Sequence, residues 1–177
     1  MRYLFSLLSA GVAVVALSAG QALASEVVVK GPHICCGQCV KVVGKILEKV
    51  DGVSEVKADT KTKMVTFTAK DAGAAKAGVK ALFDGGFYGK ATEDGKELKV
   101  GAGGVKKGDQ VKSVTVKNVH ACCGLCHKEI KGLFADSTVT FEGTGPQRTV
   151  VIEGGSLEAS AVLQALRKAG FNGMVQK

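Results

Sequence analysis

From residue 25 onward, short runs of alternating apolar positions give way to apolar positions at helical spacing. This happens twice, in the same order. Residues 26–30 (EVVVK) are β-branched and read as a strand. Val40, Val43, Ile46, Leu47 and Val50 then fall on one helical face, and Asp51-Gly52 stops that helix. Residues 53–58 and 64–69 read as a hairpin around TKTK. Asp71 is placed to cap a second helix carrying Ala75, Val79, Leu82 and Phe83 on its stripe, with Gly85-Gly86 at its end. A last strand follows at 88–92. The second half repeats the plan: strand 111–119, short helix 126–134, hairpin strands 137–142 and 148–153, a helix capped by Ser156 and ending before Gly170, and a closing strand at 172–176.

Each half thus predicts β-α-β-β-α-β, the ferredoxin-like plan, and the chain as a whole an α+β protein of two tandem sandwiches. The halves are copies of one unit. Ala81-Leu82 and Gly86-Phe87-Tyr88-Gly89 return as Ala165-Leu166 and Gly170-Phe171-Asn172-Gly173 at one common offset. The expected organisation is 1–24 as a signal peptide, 25–92 as the first domain, 93–110 as a linker around GAGGVKKGD, and 111–177 as the second domain.

The leader reading rests on Arg2, an apolar stretch over residues 4–17, and Ala22-Leu23-Ala24, an A-x-A cleavage pattern. It predicts a periplasmic or secreted protein with no stable membrane insertion after cleavage, since no other stretch is long and apolar enough to span a bilayer. Formal charge is +8 at pH 7. The lysines are scattered among acids and no arginine cluster forms, so a nucleic-acid partner is not expected.

The chemistry is concentrated in one motif. HICCGQC spans residues 33–39, and HACCGLC spans 120–126. Together they hold all six cysteines and two of the three histidines. The third, His127, reads as a solvent-facing helix residue. Around the first copy, CVKVVGKILEKVDGVSEVKADTKTKMVTFTAKD followed by VKALFDGGFYGKAT resembles the heavy-metal-associated domain. That family includes copper chaperones, the periplasmic mercury-binding protein and N-terminal modules of metal-pumping P-type ATPases. Its usual signature is G-M-x-C-x-x-C. The resemblance implies that Cys36 with Cys39, and Cys123 with Cys126, are the paired metal cysteines. It also implies that Phe87 and Phe171 are the aromatics beside each metal loop. His33 and His120 stand where the family has Gly, and Ile34 and Ala121 where it has a buried Met. The added Cys35 and Cys122 resemble modules attributed to zinc-handling pumps.

Thiolates at helix N-termini are favoured by the unpaired N–H groups and the positive dipole end. Cys39 and Cys126 are read as beginning helices. Two thiolates at C-x-x-C spacing suit Cu(I). A third thiolate and an imidazole, from Cys35 with His33 or Cys122 with His120, would complete a set of three sulfurs and one nitrogen suited to Zn(II). The histidines could equally cap the loops. Structural disulfides fit less well. Consecutive Cα atoms are about 3.8 Å apart whereas relaxed disulfides want roughly 4.4–6.8 Å, and three cysteines per unit leave one over. A thiol–disulfide redox protein is the competing class. Catalysis of another kind is not expected. The reading is a carrier or buffer of Cu(I) or Zn(II), with about one ion per copy, serving another metal-handling protein or a membrane metal transporter.

Overall fold

The computed structural model describes residues 24–108 and 110–176. The expected signal peptide lies, but for Ala24, outside them. In the first half, β1 (Ser25–Lys30), α1 (Gly37–Leu47), β2 (Val53–Asp59), β3 (Met64–Ala69), α2 (Ala72–Asp84) and β4 (Lys90–Glu93) follow the expected order. A short β5 (Lys96–Glu97) comes next. The second half holds β6 (Val111–His120), α3 (Gly124–Leu133), β7 (Thr138–Glu142), β8 (Gln147–Leu157), α4 (Ala159–Lys168) and β9 (Met174–Val175). Strand orders are β2-β3-β1-β4-β5 and β7-β8-β6-β9. In each half the first and third strands are central and every pairing is antiparallel. This is the ferredoxin-like arrangement, made twice, and the protein is α+β.

Alternation explains each sheet. Val27 and Val29 of β1 and Val65 and Phe67 of β3 face inward and are fully buried with Val43, Leu47, Val79 and Leu82 from the helices. Burial of such side chains contributes about 1.5–3 kcal/mol each. Val114, Val116, Val150, Ile152, Ile130, Val162 and Leu166 form the equivalent set in the second half. α1 buries Cys39, Val42, Val43 and Leu47, whereas the shorter α3 buries only Cys126 and Ile130.

Asp71 caps α2 as expected, its carboxylate accepting from the Ala74 amide at 2.8 Å. Ser156 does not cap α4. It stays in β8 because Leu157 still pairs with Val111, and its hydroxyl bonds Gln110 at 2.8 Å. The segment after Thr92 is also more structured than a free linker. Asp94-Gly95 turns the chain so that Lys96 pairs with Glu93. Further on, the Ala102 and Gly103 carbonyls accept from Arg167 at 2.7 and 2.8 Å.

Both second helices end in the same device. Gly86 and Gly170 have φ of +91° and +86°. The amides of Gly86 and Phe87 close back on Phe83 and Leu82, and those of Gly170 and Phe171 on Arg167 and Leu166. This is the Schellman motif, which needs a left-handed residue. The two glycines then join the halves. Tyr88 donates its amide to the Gly170 carbonyl, and Asn172 donates to the Gly86 carbonyl, each at 2.9 Å. Phe87 and Phe171 form an antiparallel bridge between these bonds. The contact is reciprocal, as between the subunits of a two-fold dimer. A Cβ on Gly86 would run into the backbone of Asn118 and His120, and one on Gly170 into Gly31 and His33.

Candidate metal centre

This junction brings the two cysteine loops together. The helices start two residues earlier than the motif suggests. Cys36 and Cys123 are the N-cap residues, with extended backbone at φ −155° and −153°. Cys39 and Cys126 therefore sit in the third helical position, pointing inward, and both are fully buried. Cys35, Cys36, Cys122 and Cys123 are half-buried, and all six are free thiols. Ile34 and Ala121, fully buried, anchor each loop from below.

The sulfurs form one network. Within the first loop Cys39 lies 3.7 Å from both Cys35 and Cys36. Within the second, Cys123 and Cys126 are 3.8 Å apart. Across the junction Cys35 approaches Cys123 at 3.6 Å and Cys126 at 3.5 Å. Cys122 approaches Cys36 at 3.9 Å and Cys39 at 3.7 Å. These separations match the edge of a thiolate-coordinated ion, for a Zn–S bond of about 2.3 Å sets tetrahedral sulfurs roughly 3.8 Å apart. The expected stoichiometry of about one ion per copy thus meets a structure in which the two loops face each other. Local sequence periodicity carries no information on how two copies dock.

The histidines are part of the same interior. His120 is fully buried and His33 is 5% exposed. Both ring nitrogens of His120, and Nε2 of His33, are buried without a hydrogen-bond partner among the described residues. Leaving such groups unpaired costs roughly 1–3 kcal/mol each. Neither ring caps its own loop. His33 stacks on Phe171 and His120 on Phe87, each with centroids 4.2 Å apart. The aromatic expected beside each loop therefore braces the other copy's histidine. His127 is not solvent-facing. It stacks on Phe141 at 4.0 Å, with Nε2 3.2 Å from the Ala121 carbonyl.

Crowding sets the protonation pattern. The Cys39 thiol is drawn strongly down, chiefly by the Cys126 thiol facing it, and against burial by the His120 ring and the backbone N–H groups of the first loop. Cys126 is pushed up by that same pairing and by burial. Burial raises Cys35 to about 12, with the Cys123 and Cys39 sulfurs adding to it against the Cys126 thiol, which lowers it; burial and then the Cys39 and Cys36 sulfurs raise Cys122 as well. Cys123 settles at about 7: burial raises it, but the backbone N–H groups of Cys126 and Leu125 and the Cys35 thiol outweigh that. Burial and the charge of Lys63 lower His33, keeping its imidazole neutral at pH 7. One thiolate in this space holds protons on its neighbours. A bound cation removes that conflict, which is how metal binding and thiol deprotonation are coupled.

Among the described residues, three groups of side chains present donor atoms within 4.8 Å of one another: Cys39, His120, Cys122 and Cys126; His33, Cys35 and Cys126; and Cys35, Cys36 and Cys123. The eight residues singled out from the sequence are all included. Sequence reasoning missed Arg167 and Asn172. The Asn172 amide donates to the Phe83 carbonyl at 2.9 Å, and its oxygen accepts from Arg167 at 2.9 Å, locking the halves behind the thiols. The available signal was that Asn172 replaces Tyr88 in an otherwise repeated Gly-Phe-x-Gly.

The fold and site define a protein of two ferredoxin-like halves closed over one thiol–imidazole cluster with the donors to hold metal. No family model and no curated protein matches the chain. Among solved structures, the N-terminal soluble domains of Bacillus subtilis CopA are similar at 13% identity over 88% of this chain and 95% of that one, with a TM-score of 0.29. At that level the likeness carries no argument about function.

Proposed function

We propose that this protein binds soft or borderline metal ions, Cu(I) or Zn(II), in one composite centre between its two halves, and carries or buffers them outside the cytoplasm. The observation that carries the reading is the network of six free thiols at 3.5–4.0 Å, flanked by two buried imidazoles that hold ring nitrogens without a partner among the described residues. Such a donor set is too soft for Mg(II) or Ca(II), which take oxygen. The motif's resemblance to heavy-metal-associated domains points the same way, and the leader over residues 1–24 supports export. Among the described residues no helix is long and apolar enough to cross a membrane. Release to a partner's cysteines would proceed by thiolate exchange, starting at the half-exposed sulfurs. No enzymatic step is part of this reading.

Thiol–disulfide exchange is the competing use of the same cysteines, because neighbouring thiols at these distances are also poised to oxidise. Protein purified anaerobically separates the two. The expected result is retained copper or zinc after gel filtration, with the thiols protected from alkylation until a chelator is added. Metal-free protein with freely reactive thiols, unable to take up Cu(I) or Zn(II) under reducing conditions, would overturn the metal reading.

A further inference from the structure

The six thiols divide without remainder between two of the donor groups, and each group draws on both copies. One contains Cys122 and Cys126 of the second loop with Cys39 of the first, and adds His120. The other contains Cys35 and Cys36 of the first loop with Cys123 of the second. Resting on the metal-binding reading above, we propose that the centre holds two ions by crossed ligation. An inner site of three sulfurs and one nitrogen is made by Cys39, Cys122, Cys126 and His120, and an outer site of three sulfurs by Cys35, Cys36 and Cys123.

The two sites differ in ways that matter chemically. Three of the inner donors, Cys39, Cys126 and His120, are fully buried, and the ring nitrogens of His120 have no other partner. Three thiolates and an imidazole form a closed tetrahedral set of the kind that holds structural Zn(II). The outer site has three half-buried thiols and no histidine. Three sulfurs without a fourth donor suit a soft, low-coordinate ion such as Cu(I). Of the outer site's thiols, Cys35 lines a surface hollow shared with His33, Leu125, Lys128 and Glu129. The remaining group, His33 with Cys35 and Cys126, takes one thiol from each site, and the Cys35 and Cys126 sulfurs lie 3.5 Å apart. His33 thus lies on the path between them. The inner ion stabilises the junction, and the outer ion exchanges.

Crossed ligation and one-loop-per-ion ligation give opposite results in two double variants. Under crossed ligation C36S/C123S damages only the outer site, so titration with Cu(I), which the three thiolates of either site can bind, against a chromophoric competitor saturates at one tightly bound ion rather than two. C36S/C39S, confined to one loop, damages both sites and leaves none. If each loop held its own ion, C36S/C123S would lose both ions and C36S/C39S would keep one, and that result overturns the proposal. Circular dichroism of the metal-free reduced variants shows whether each is folded. X-ray absorption of the unmodified protein needs no variant. With one equivalent of Zn(II), the nearest scatterers should be three sulfurs and one nitrogen, and H120F should lose the nitrogen. Four sulfurs at one equivalent would overturn the assignment of the inner site. Failure of the unmodified protein to take up any ion would overturn the metal-binding reading itself.

Discussion

Gly86 is the position where the fold and the centre are most directly tied, and G86A tests that tie. Two penalties combine there. The residue sits at φ +91°, where an L side chain costs about 1–2 kcal/mol. The new Cβ would also meet the opposing backbone at Asn118 and His120, which cannot swing aside as a side chain would. Overpacking of this kind typically adds about 1–3 kcal/mol. The sum is about 3 kcal/mol, or a fall of roughly 6–12 °C in Tm for a chain of this size. The halves can relieve the clash only by separating, which breaks the Asn172 amide bond to the Gly86 carbonyl and moves His120 away from Cys39. Metal affinity should therefore fall with stability. G95A supplies the control. Gly95 has φ +78°, but a Cβ there meets nothing within 4 Å among the described residues, so it reports the backbone penalty alone. Urea unfolding of both metal-free variants, followed by Zn(II) competition, gives the comparison. If G86A costs no more than G95A and binds metal as well as the unmodified protein, the reciprocal glycine contact does not hold the centre together.

Three further outcomes follow from single contacts, and a fourth from the fold as a whole. D71A removes the cap on the Ala74 amide and should cost about 1 kcal/mol in urea unfolding while leaving metal binding unchanged. H120F replaces two unpartnered buried nitrogens by carbon. It should cost the metal-free protein less than about 1 kcal/mol, yet weaken the first Zn(II) by at least about tenfold; a large loss of metal-free stability would contradict the unpaired state of that ring. R167K gives up the fork that holds the Ala102 and Gly103 carbonyls, so amide exchange should quicken across residues 98–104. The metal-free reduced protein should unfold cooperatively, with its midpoint raised by added ion through mass action. A random-coil spectrum in the absence of metal would show that the ion builds the fold.

The repeat, the β-α-β-β-α-β order, the Asp71 cap and the concentration of candidate ligands in two loops are all legible in the chain. Each depends on residues within a few positions of one another: alternation for strands, the 3.6-residue period for helices, an Asp before a helix, a Gly after one. Periodicity also places Val43, Leu47, Val79 and Leu82 correctly in the core. Boundaries are less legible where longer-range pairing decides them. Ser156 has the residue type of a cap, but Val111 pairs with Leu157 and holds the chain extended past it. Lys96 has the surroundings of a linker, but the turn at Gly95 returns it to Glu93.

The chain by itself determined that each copy carries three thiols and a histidine at the mouth of a helix. It did not determine which of them meet. The pattern Gly-Phe-x-Gly announces a helix end, and nothing local in it says that the carbonyl of Gly86 will accept from Asn172 or that Phe87 will lie against His120. Those contacts arise because two left-handed glycines, each without a Cβ, allow the backbones of the two halves to come together. Once they do, helix N-termini that are far apart in sequence converge, and sulfurs from opposite loops come to within 3.5 Å. Which residues are candidate ligands is therefore a property of residue type and local spacing, while how those candidates group is a property of docking, which only the tertiary structure decides.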